Sequence, residues 1–190
     1  MSVPAAPPLL LASTSPRRRE ILTQLGIPFE VVAPDYDEAD DDPVAHAVGK
    51  ARSVLDGAGG RPVLGCDTEV ICGGRVYGKA ADPAGADEML ASLAGRTHEV
   101  VSGLALLGPD WEEVHREVTT VTFRPLSERE RARYVATGEW EGRAGAYAIQ
   151  GIGASLVERI EGDYLNVVGL PAALLVRLLA ERFAGLYGFG

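Results

Sequence analysis

Short apolar runs and longer stretches with helical spacing alternate along the chain. The apolar runs predict β-strands at residues 9–12, 29–33, 63–72, 75–77, 97–107 and 111–124, with a further hairpin at 154–168. Apolar residues one helical turn apart predict helices at residues 16–25, 43–55, 83–94, 127–135 and from 171 onward. No internal repeat or low-complexity linker separates them, so we predict one α/β domain, residues 1–190, with a mixed sheet flanked by helices.

The first predicted helix has complete start and stop signals. Ser15 can cap it, Pro16 suits its first position and Gly26 suits the residue that follows its C-terminus. The arginines at 17–19 lie in its first turn, where cations oppose the helix dipole unless an anion offsets them. Together with the hydroxyl-rich loop that precedes it, this helix start favours phosphate binding over a plain basic surface.

The overall composition excludes several classes of protein. A hydrophobic content of 46% over 190 residues is enough for a sizeable core, and a net charge of −9 disfavours a nucleic-acid partner. No apolar run approaches the ~20 residues needed to span a membrane, so we expect no membrane association. Cys66 and Cys72 are the only cysteines, too few for a disulfide framework, and we expect a cytoplasmic protein.

Lysine and acidic residues are unevenly placed. Sixteen of the 18 basic residues are arginines, so Lys50 and Lys79, the only lysines, stand out as positions where a compact ammonium group is needed. Six of the 27 acidic residues lie within residues 35–42. Glu38 and Asp37 in this run could bind a hard cation, although a solvated acidic loop is the commoner meaning of such a run.

Two adjacent polar residues, Asp67 and Thr68, interrupt the apolar strand predicted at 63–72. A carboxylate such as Asp67 is costly to bury unless it is paired or bound to metal, so Asp67 is a candidate general base or Mg²⁺ ligand. The alternative is a turn residue at the end of the strand. Thr68 follows it directly.

Several short motifs fail on inspection. Residues 73–79 match GxxxxGK, but Ala80 replaces the hydroxyl residue that holds magnesium in a P-loop. Gly151 and Gly153 lack the third glycine of a dinucleotide fingerprint, and the acidic run lacks the spacing of an EF-hand. The three histidines fall on different predicted elements, so no zinc site or histidine-based triad is indicated.

Five blocks, taken in chain order, resemble the signature of the Maf family of nucleoside triphosphate pyrophosphatases. They are LASTSPRR at 11–18, GCDT at 65–68, GK at 78–79, AGAYAIQG at 144–151 and NVVGLP at 166–171. The resemblance implies an α/β fold with an elongated mixed sheet around a nucleotide cleft, related to inosine-triphosphate pyrophosphatases. It also implies hydrolysis of a nucleoside triphosphate to the monophosphate and pyrophosphate with a divalent cation, Mg²⁺ or Mn²⁺.

The same resemblance suggests a substrate and assigns residue roles. Arg17, Thr68 and Gln150 are similar to the subgroup that acts on dTTP and UTP, whereas the subgroup acting on 7-methyl-GTP tends to carry Trp, Gln and Glu there. Gln150 can offer a donor and an acceptor to the imide edge of uracil or thymine, and Thr68 adds a hydroxyl.

The catalytic residues implied by the family are Asp67, as proton acceptor, with Lys50 and Lys79; the substrate-binding residues are Ser13, Arg17, Arg18, Thr68 and Gln150, and the metal ligands are Glu38 and Asp67. Modified pyrimidine nucleotides are a further substrate class. Two other functions stay open: a nucleotide-binding regulator of cell division or septum formation, and a pyrophosphatase for modified purine nucleotides. The sequence is also compatible with a homodimer.

Overall fold

The computed structural model describes residues 6–38 and 42–189, so residues 39–41 of the predicted acidic loop lie outside the described part. The strands there are β1 (Leu9–Ala12), β2 (Phe29–Val32), β3 (Val63–Cys72), β4 (Arg75–Tyr77), β5 (Thr97–Leu107), β6 (Glu112–Phe123) and β7 (Val157–Glu161). The helices are α1 (Pro16–Gln24), α2 (Pro43–Leu55), α3 (Pro83–Leu93), α4 (Glu128–Val135), α5 (Tyr164–Val168) and α6 (Ala172–Phe183), with a 3-10 helix at Gly151–Leu156.

The strands form one mixed sheet in the order β2-β1-β3-β5-β6-β7, and β4 pairs with β3. β1 is parallel to both β2 and β3, while β4 is antiparallel to β3 and β7 is antiparallel to β6. The predicted α/β class with a mixed sheet is therefore confirmed. No helix within residues 6–38 and 42–189 has the length and apolar character that a membrane span requires.

The chain divides into two compact units, and β3, β5 and β6 contribute residues to both of them. The first unit takes the described residues of Met1–Asp67, Ser102–Glu117 and Gly169–Gly190. The second takes Thr68–Val101 and Val118–Val168. The single domain expected over residues 1–190 stays a prediction.

In the first unit, helix α2 packs on the sheet through small side chains. Ala47, Ala51 and Val54 occupy one helical face and share a buried cluster with Leu10 and Val63 from the strands. Alanines at i and i+4 allow a helix to approach a sheet closely, because little side-chain volume separates the two backbones. This close packing of α2 on the sheet sets where the remaining side chains of the helix lie relative to the strands.

The second unit has an aromatic core that includes a histidine. His98 Nε2 lies 2.9 Å from the hydroxyl of Tyr147, and both rings make edge-to-face contacts with Phe123. His98 Nδ1 is buried and has no hydrogen-bond partner within the described residues. Burial lowers the pKa of His98 from 6.5 to about 4, so the imidazole is neutral in the folded protein at neutral pH.

We expect acid to destabilise this unit through His98. Because the pKa is lowered in the folded state, the unfolded chain binds the proton first, and stability is complete above about pH 6.5 and is lost as the pH falls toward 4. At pH 5 the loss relative to neutral pH should be ~2 kcal/mol. Urea unfolding of the wild type and of His98→Gln at both pH values measures it.

The glutamine variant can keep the bond to Tyr147 but cannot titrate, so its free energy of unfolding should fall less between the two pH values. His115→Gln, which changes a partly exposed histidine, serves as the control and should retain the wild-type pH dependence. Equal losses in the wild type and in His98→Gln would contradict the assignment.

The hairpin predicted at 154–168 is only half right. β7 pairs with β6, but the second predicted strand is instead the short helix α5. Asp163 causes the change, because its carboxylate accepts a hydrogen bond from the Leu165 amide and starts a helical turn. Asn166 is then fully buried and donates to the Val100 carbonyl and the Thr119 hydroxyl.

Candidate active site

A hydroxyl group organises the loop between β1 and α1. The Ser13 side chain is buried, and its Oγ accepts hydrogen bonds from the Ser15 amide at 3.2 Å and from Arg18 Nη1 at 3.1 Å. The prediction that the Ser15 side chain caps α1 is wrong, because Ser15 occupies the N-cap position without a side-chain capping bond. Pro16 and Gly26 take the predicted places at the two ends of the helix.

Arg18 is buried rather than extended into solvent. Its Nε donates to the Gly169 carbonyl at 2.9 Å, and the Cys66 thiol lies 3.6 Å from the same oxygen. The guanidinium is therefore fixed between the Ser13 hydroxyl and the turn before α6. Arg17, one position earlier, is half-buried.

Asp67 forms a compact ion cluster with two other predicted residues. Lys50 Nζ contacts Asp67 Oδ1 at 2.5 Å and Glu38 Oε1 at 2.5 Å, so one ammonium bridges both carboxylates. Lys50 and Asp67 are mostly buried, whereas Glu38 is half exposed. Charge-assisted bonds of this kind strengthen as water is excluded. The structure thus brings together three residues that are far apart in sequence.

A glycine explains how α2 brings Lys50 to the strand. A Cβ built on Gly65 would lie 2.1 Å from the Ala47 carbonyl oxygen, so the helix backbone runs directly against β3 at this point. Lys50 is three residues along α2 from Ala47, and Asp67 is two residues along β3 from Gly65. Any side chain at position 65 would separate the two backbones and with them the two charges.

His46 is a further member of this cluster. It is buried, and its Nδ1 lies 3.5 Å from Asp67 Oδ2, whereas Lys50 contacts Oδ1. His46, Asp67 and Glu69 offer ligand atoms that lie within 4.8 Å of one another, close enough to hold a metal ion. Carboxylate oxygens are the ligands that Mg²⁺ and Mn²⁺ prefer, and Asp67 and Glu69 supply them here. Glu38, the other ligand predicted from the sequence, contacts Lys50 but is not a member of this set.

In the second unit, a short bridge joins Lys79 to the block that carries Gln150. Lys79 pairs with Ala144 as an isolated β-bridge, and the Gly145 amide donates to the carbonyls of Tyr77 and Gly78. Lys79 is exposed. The first residues of the predicted 144–151 motif are therefore tied directly to the segment that contains the predicted lysine.

Gln150 is exposed at the N-terminus of the 3-10 helix, and its side chain makes no capping bond there. Two groups hold the chain on either side of it. The Tyr134 hydroxyl accepts from the Ala148 amide at 2.9 Å, and the Glu139 carboxylate accepts from the amides of Ile152 and Gly153, each at 3.0 Å.

The predicted site residues fall in both units. Ser13, Arg17, Arg18, Glu38, Lys50 and Asp67 lie in the first, and Thr68, Lys79 and Gln150 lie in the second. Thr68 is half-buried on β3, directly after Asp67. Asp67, Lys50 and Glu38 form one cluster, Ser13 and Arg18 form another, and Lys79 is tied to the block of Gln150.

Sequence reasoning missed three residues that support these groups. His46 was set aside because the histidines are scattered, although it precedes Lys50 by four residues and so shares a face of the predicted helix 43–55. That spacing is a signal that could have found it. Tyr134 and Glu139 act through backbone amides more than ten residues away, a relation with no local signature in the sequence.

Comparison with known proteins agrees with the resemblance drawn from the motifs. The family model described as Maf-like protein matches residues 8–182. The chain belongs to the Maf family.

Curated relatives cover nearly its whole length. A protein of Symbiobacterium thermophilum is 48% identical over 91% of this chain and 93% of its own, and one of Moorella thermoacetica is 50% identical over 90% and 93%. A third, of Deinococcus radiodurans, is 44% identical over the full length of both chains. Each of the three is named dTTP/UTP pyrophosphatase.

Proposed function

We propose that this protein is a nucleoside triphosphate pyrophosphatase that hydrolyses dTTP and UTP to the monophosphate and pyrophosphate. The observation that carries the proposal is the Lys50 ammonium held between the carboxylates of Asp67 and Glu38, in the same unit as the arginines at the start of α1. Relatives with this substrate in their names, which align over nine-tenths of the chain or more, support the choice of nucleotide.

Asp67 is the proposed proton acceptor. Its Oδ1 is engaged by Lys50 and its Oδ2 lies 3.5 Å from His46 Nδ1, so these two neighbours orient the carboxylate that accepts a proton from water. The water oxygen forms a bond to the α-phosphorus, the bond from that phosphorus to the bridging oxygen breaks, and pyrophosphate departs with the electron pair. The proton goes to Asp67. General-base assistance of this kind contributes ~10²- to 10⁴-fold to the rate.

Phosphate binding is proposed for the β1–α1 loop and the two lysines. The positive end of the α1 helix dipole attracts anions, and the guanidinium of Arg17 can pair with phosphate oxygens. Arg18 fixes the loop through its bonds to Ser13 and Gly169 and places its positive charge beside the same anion. Lys50 and Lys79 neutralise charge on the leaving pyrophosphate.

Metal binding is proposed for Glu38 and Asp67, because each places a carboxylate oxygen 2.5 Å from the same ammonium. A bound Mg²⁺ or Mn²⁺ supplies positive charge that polarises the phosphate oxygens. The acidic loop would then have a specific function, rather than being only a solvated segment.

Base selection is proposed for Gln150 and Thr68. A carboxamide presents one acceptor and two donors, which matches the carbonyl and N–H groups of the uracil and thymine edge. Polar groups that a bound base covers and leaves unpaired penalise the binding of a wrong base, so such a site discriminates strongly. We also propose a cytoplasmic location, where the two cysteines stay reduced. Sedimentation of the purified protein tests the expected homodimer.

Release of pyrophosphate from a panel of nucleotides tests the proposal. With Mg²⁺, dTTP and UTP should be hydrolysed fastest among dTTP, UTP, CTP, inosine triphosphate and 7-methyl-GTP, and EDTA should abolish the reaction. Binding of dTTP without release of pyrophosphate would instead favour a nucleotide-binding regulator. Preference for a purine nucleotide would overturn the base-selecting roles given to Thr68 and Gln150.

A further inference from the structure

We infer that Glu139 is a positioning residue for base selection, because its carboxylate fixes the backbone that carries Gln150. The inference rests on the proposed function, in which Gln150 contacts the base. It adds a residue that never touches the nucleotide and yet sets how well uracil is distinguished from cytosine.

The contacts of the Glu139 carboxylate are specific. Oε1 accepts from the Ile152 amide and Oε2 from the Gly153 amide, both at 3.0 Å, so both oxygens are used on consecutive peptide groups. These amides belong to the first turn of the 3-10 helix, where N–H groups lack partners within the helix. One carboxylate therefore satisfies two donors that would otherwise need water.

The backbone between Gln150 and these amides is held in a tightly constrained conformation. Gly151 has φ of +64°, and a Cβ built on it would lie 2.5 Å from Glu139 Oε1. Only glycine suits both the left-handed backbone and the close approach of the carboxylate. On the other side of Gln150, the Ala148 amide is held by the Tyr134 hydroxyl at 2.9 Å. Gln150 is thus bracketed by fixed points two residues away in each direction.

Glu139 is itself held in place by the turn after α4. The Thr137 hydroxyl donates to the Tyr134 carbonyl at 2.6 Å and accepts from the Glu139 amide at 3.1 Å. Arg143 Nε donates to the Glu139 carbonyl, and Trp140 Nε1 donates to the Val135 carbonyl. Tyr134 and Glu139, whose side chains bond to the backbone on either side of Gln150, therefore both come from the hydrogen-bonded stretch of residues 134–139.

Glu139→Gln separates a positioning role from a catalytic one. The amide keeps a single acceptor oxygen, so one of the two backbone bonds is lost while the volume of the side chain is unchanged. The ratio of kcat/KM for UTP over CTP should fall about fivefold or more, as expected when one hydrogen bond to the base is misaligned. At saturating UTP, kcat should change much less, because the phosphate-binding residues and the proton acceptor Asp67 are untouched.

Three companion variants make the outcome unambiguous. Glu139→Ala should lower the ratio further, since both bonds are lost. Glu141→Gln removes the same charge from an exposed position in the same turn and should leave the ratio unchanged. Gln150→Ala should lower the ratio at least as much as any Glu139 variant. Thermal unfolding of each variant shows whether the fold is intact, and Glu139→Gln decides if the alanine variant does not fold.

The results separate the two hypotheses. If Gln150→Ala lowers the ratio and Glu139→Gln does not, Glu139 has no part in base selection and the inference is wrong while the proposed function stands. Equal losses of kcat/KM for UTP and CTP in Glu139→Gln would assign it a structural role only, which also overturns the inference. An unchanged ratio in Gln150→Ala would remove the base contact itself, and with it both the proposed specificity and the inference.

Discussion

Asp67→Asn should lower kcat for dTTP by about 10²- to 10⁴-fold, the range expected for loss of a general base. Asparagine keeps an oxygen that can accept from Lys50, so the cluster retains its shape while the proton acceptor is gone. Pyrophosphate release at saturating dTTP and Mg²⁺ measures the loss. KM should change much less, because the groups proposed to bind phosphate are unaltered.

Asp56→Asn is the matched control for this variant. Asp56 is exposed at the C-cap of α2, so the same change of charge there should leave kcat unaltered. Thermal unfolding should give Asp67→Asn a midpoint near that of the wild type, since Lys50 keeps Glu38 as a partner. Full dTTP turnover by folded Asp67→Asn would remove Asp67 from the role of base.

Lys50→Met should lower kcat by about 10²- to 10³-fold, the cost usually found when one preorganised charge-stabilising group is removed. Methionine fills a similar space but supplies no ammonium, so Asp67 and Glu38 lose the cation that joins them and the departing pyrophosphate loses a neutralising charge. Steady-state rates with dTTP over a range of Mg²⁺ concentrations test this. Added Mg²⁺ should restore only part of the loss, because it cannot replace the bond that orients Asp67.

Arg52→Met, in the same helix, serves as the control. Arg52 is exposed and pairs with Glu112 on the surface, an interaction worth little in water, so its loss should leave kcat unchanged. Complete recovery of Lys50→Met at high Mg²⁺ would indicate that Lys50 only balances charge and does not orient Asp67.

Elements with strong local signals could be predicted from the sequence. Helix α2 and strand β3 have the predicted bounds. In each, the spacing of apolar residues fits the element, and residues that disrupt regular structure mark its end. The strand predicted after β7 was wrong. Tyr164–Val168 is short and mixes polar with apolar residues, and one carboxylate, Asp163, was enough to start a helix there. Where the pattern is weak, a single side-chain bond decides the secondary structure.

The candidate site was predictable in its members but not in its pairings. Lys50 stood out as one of two lysines and Asp67 as a carboxylate in an apolar strand, and each could be chosen without the fold. Their contact depends on how α2 lies on β3, which is a tertiary property. Arg18 was expected to face phosphate, yet two of its donors serve Ser13 and the Gly169 carbonyl, and a backbone carbonyl leaves no trace in a sequence.

The contact at Gly65 also determines what would be needed to transplant this chemistry. Copying Asp67, Lys50 and Glu38 onto another α/β scaffold would not reproduce their geometry, because a normal helix-to-sheet gap would leave the lysine nitrogen short of the carboxylate. Gly65 and the facing Ala47 would have to be transferred together with the three charged residues. The smallest transferable unit is therefore the close contact between the α2 and β3 backbones, not the three side chains alone.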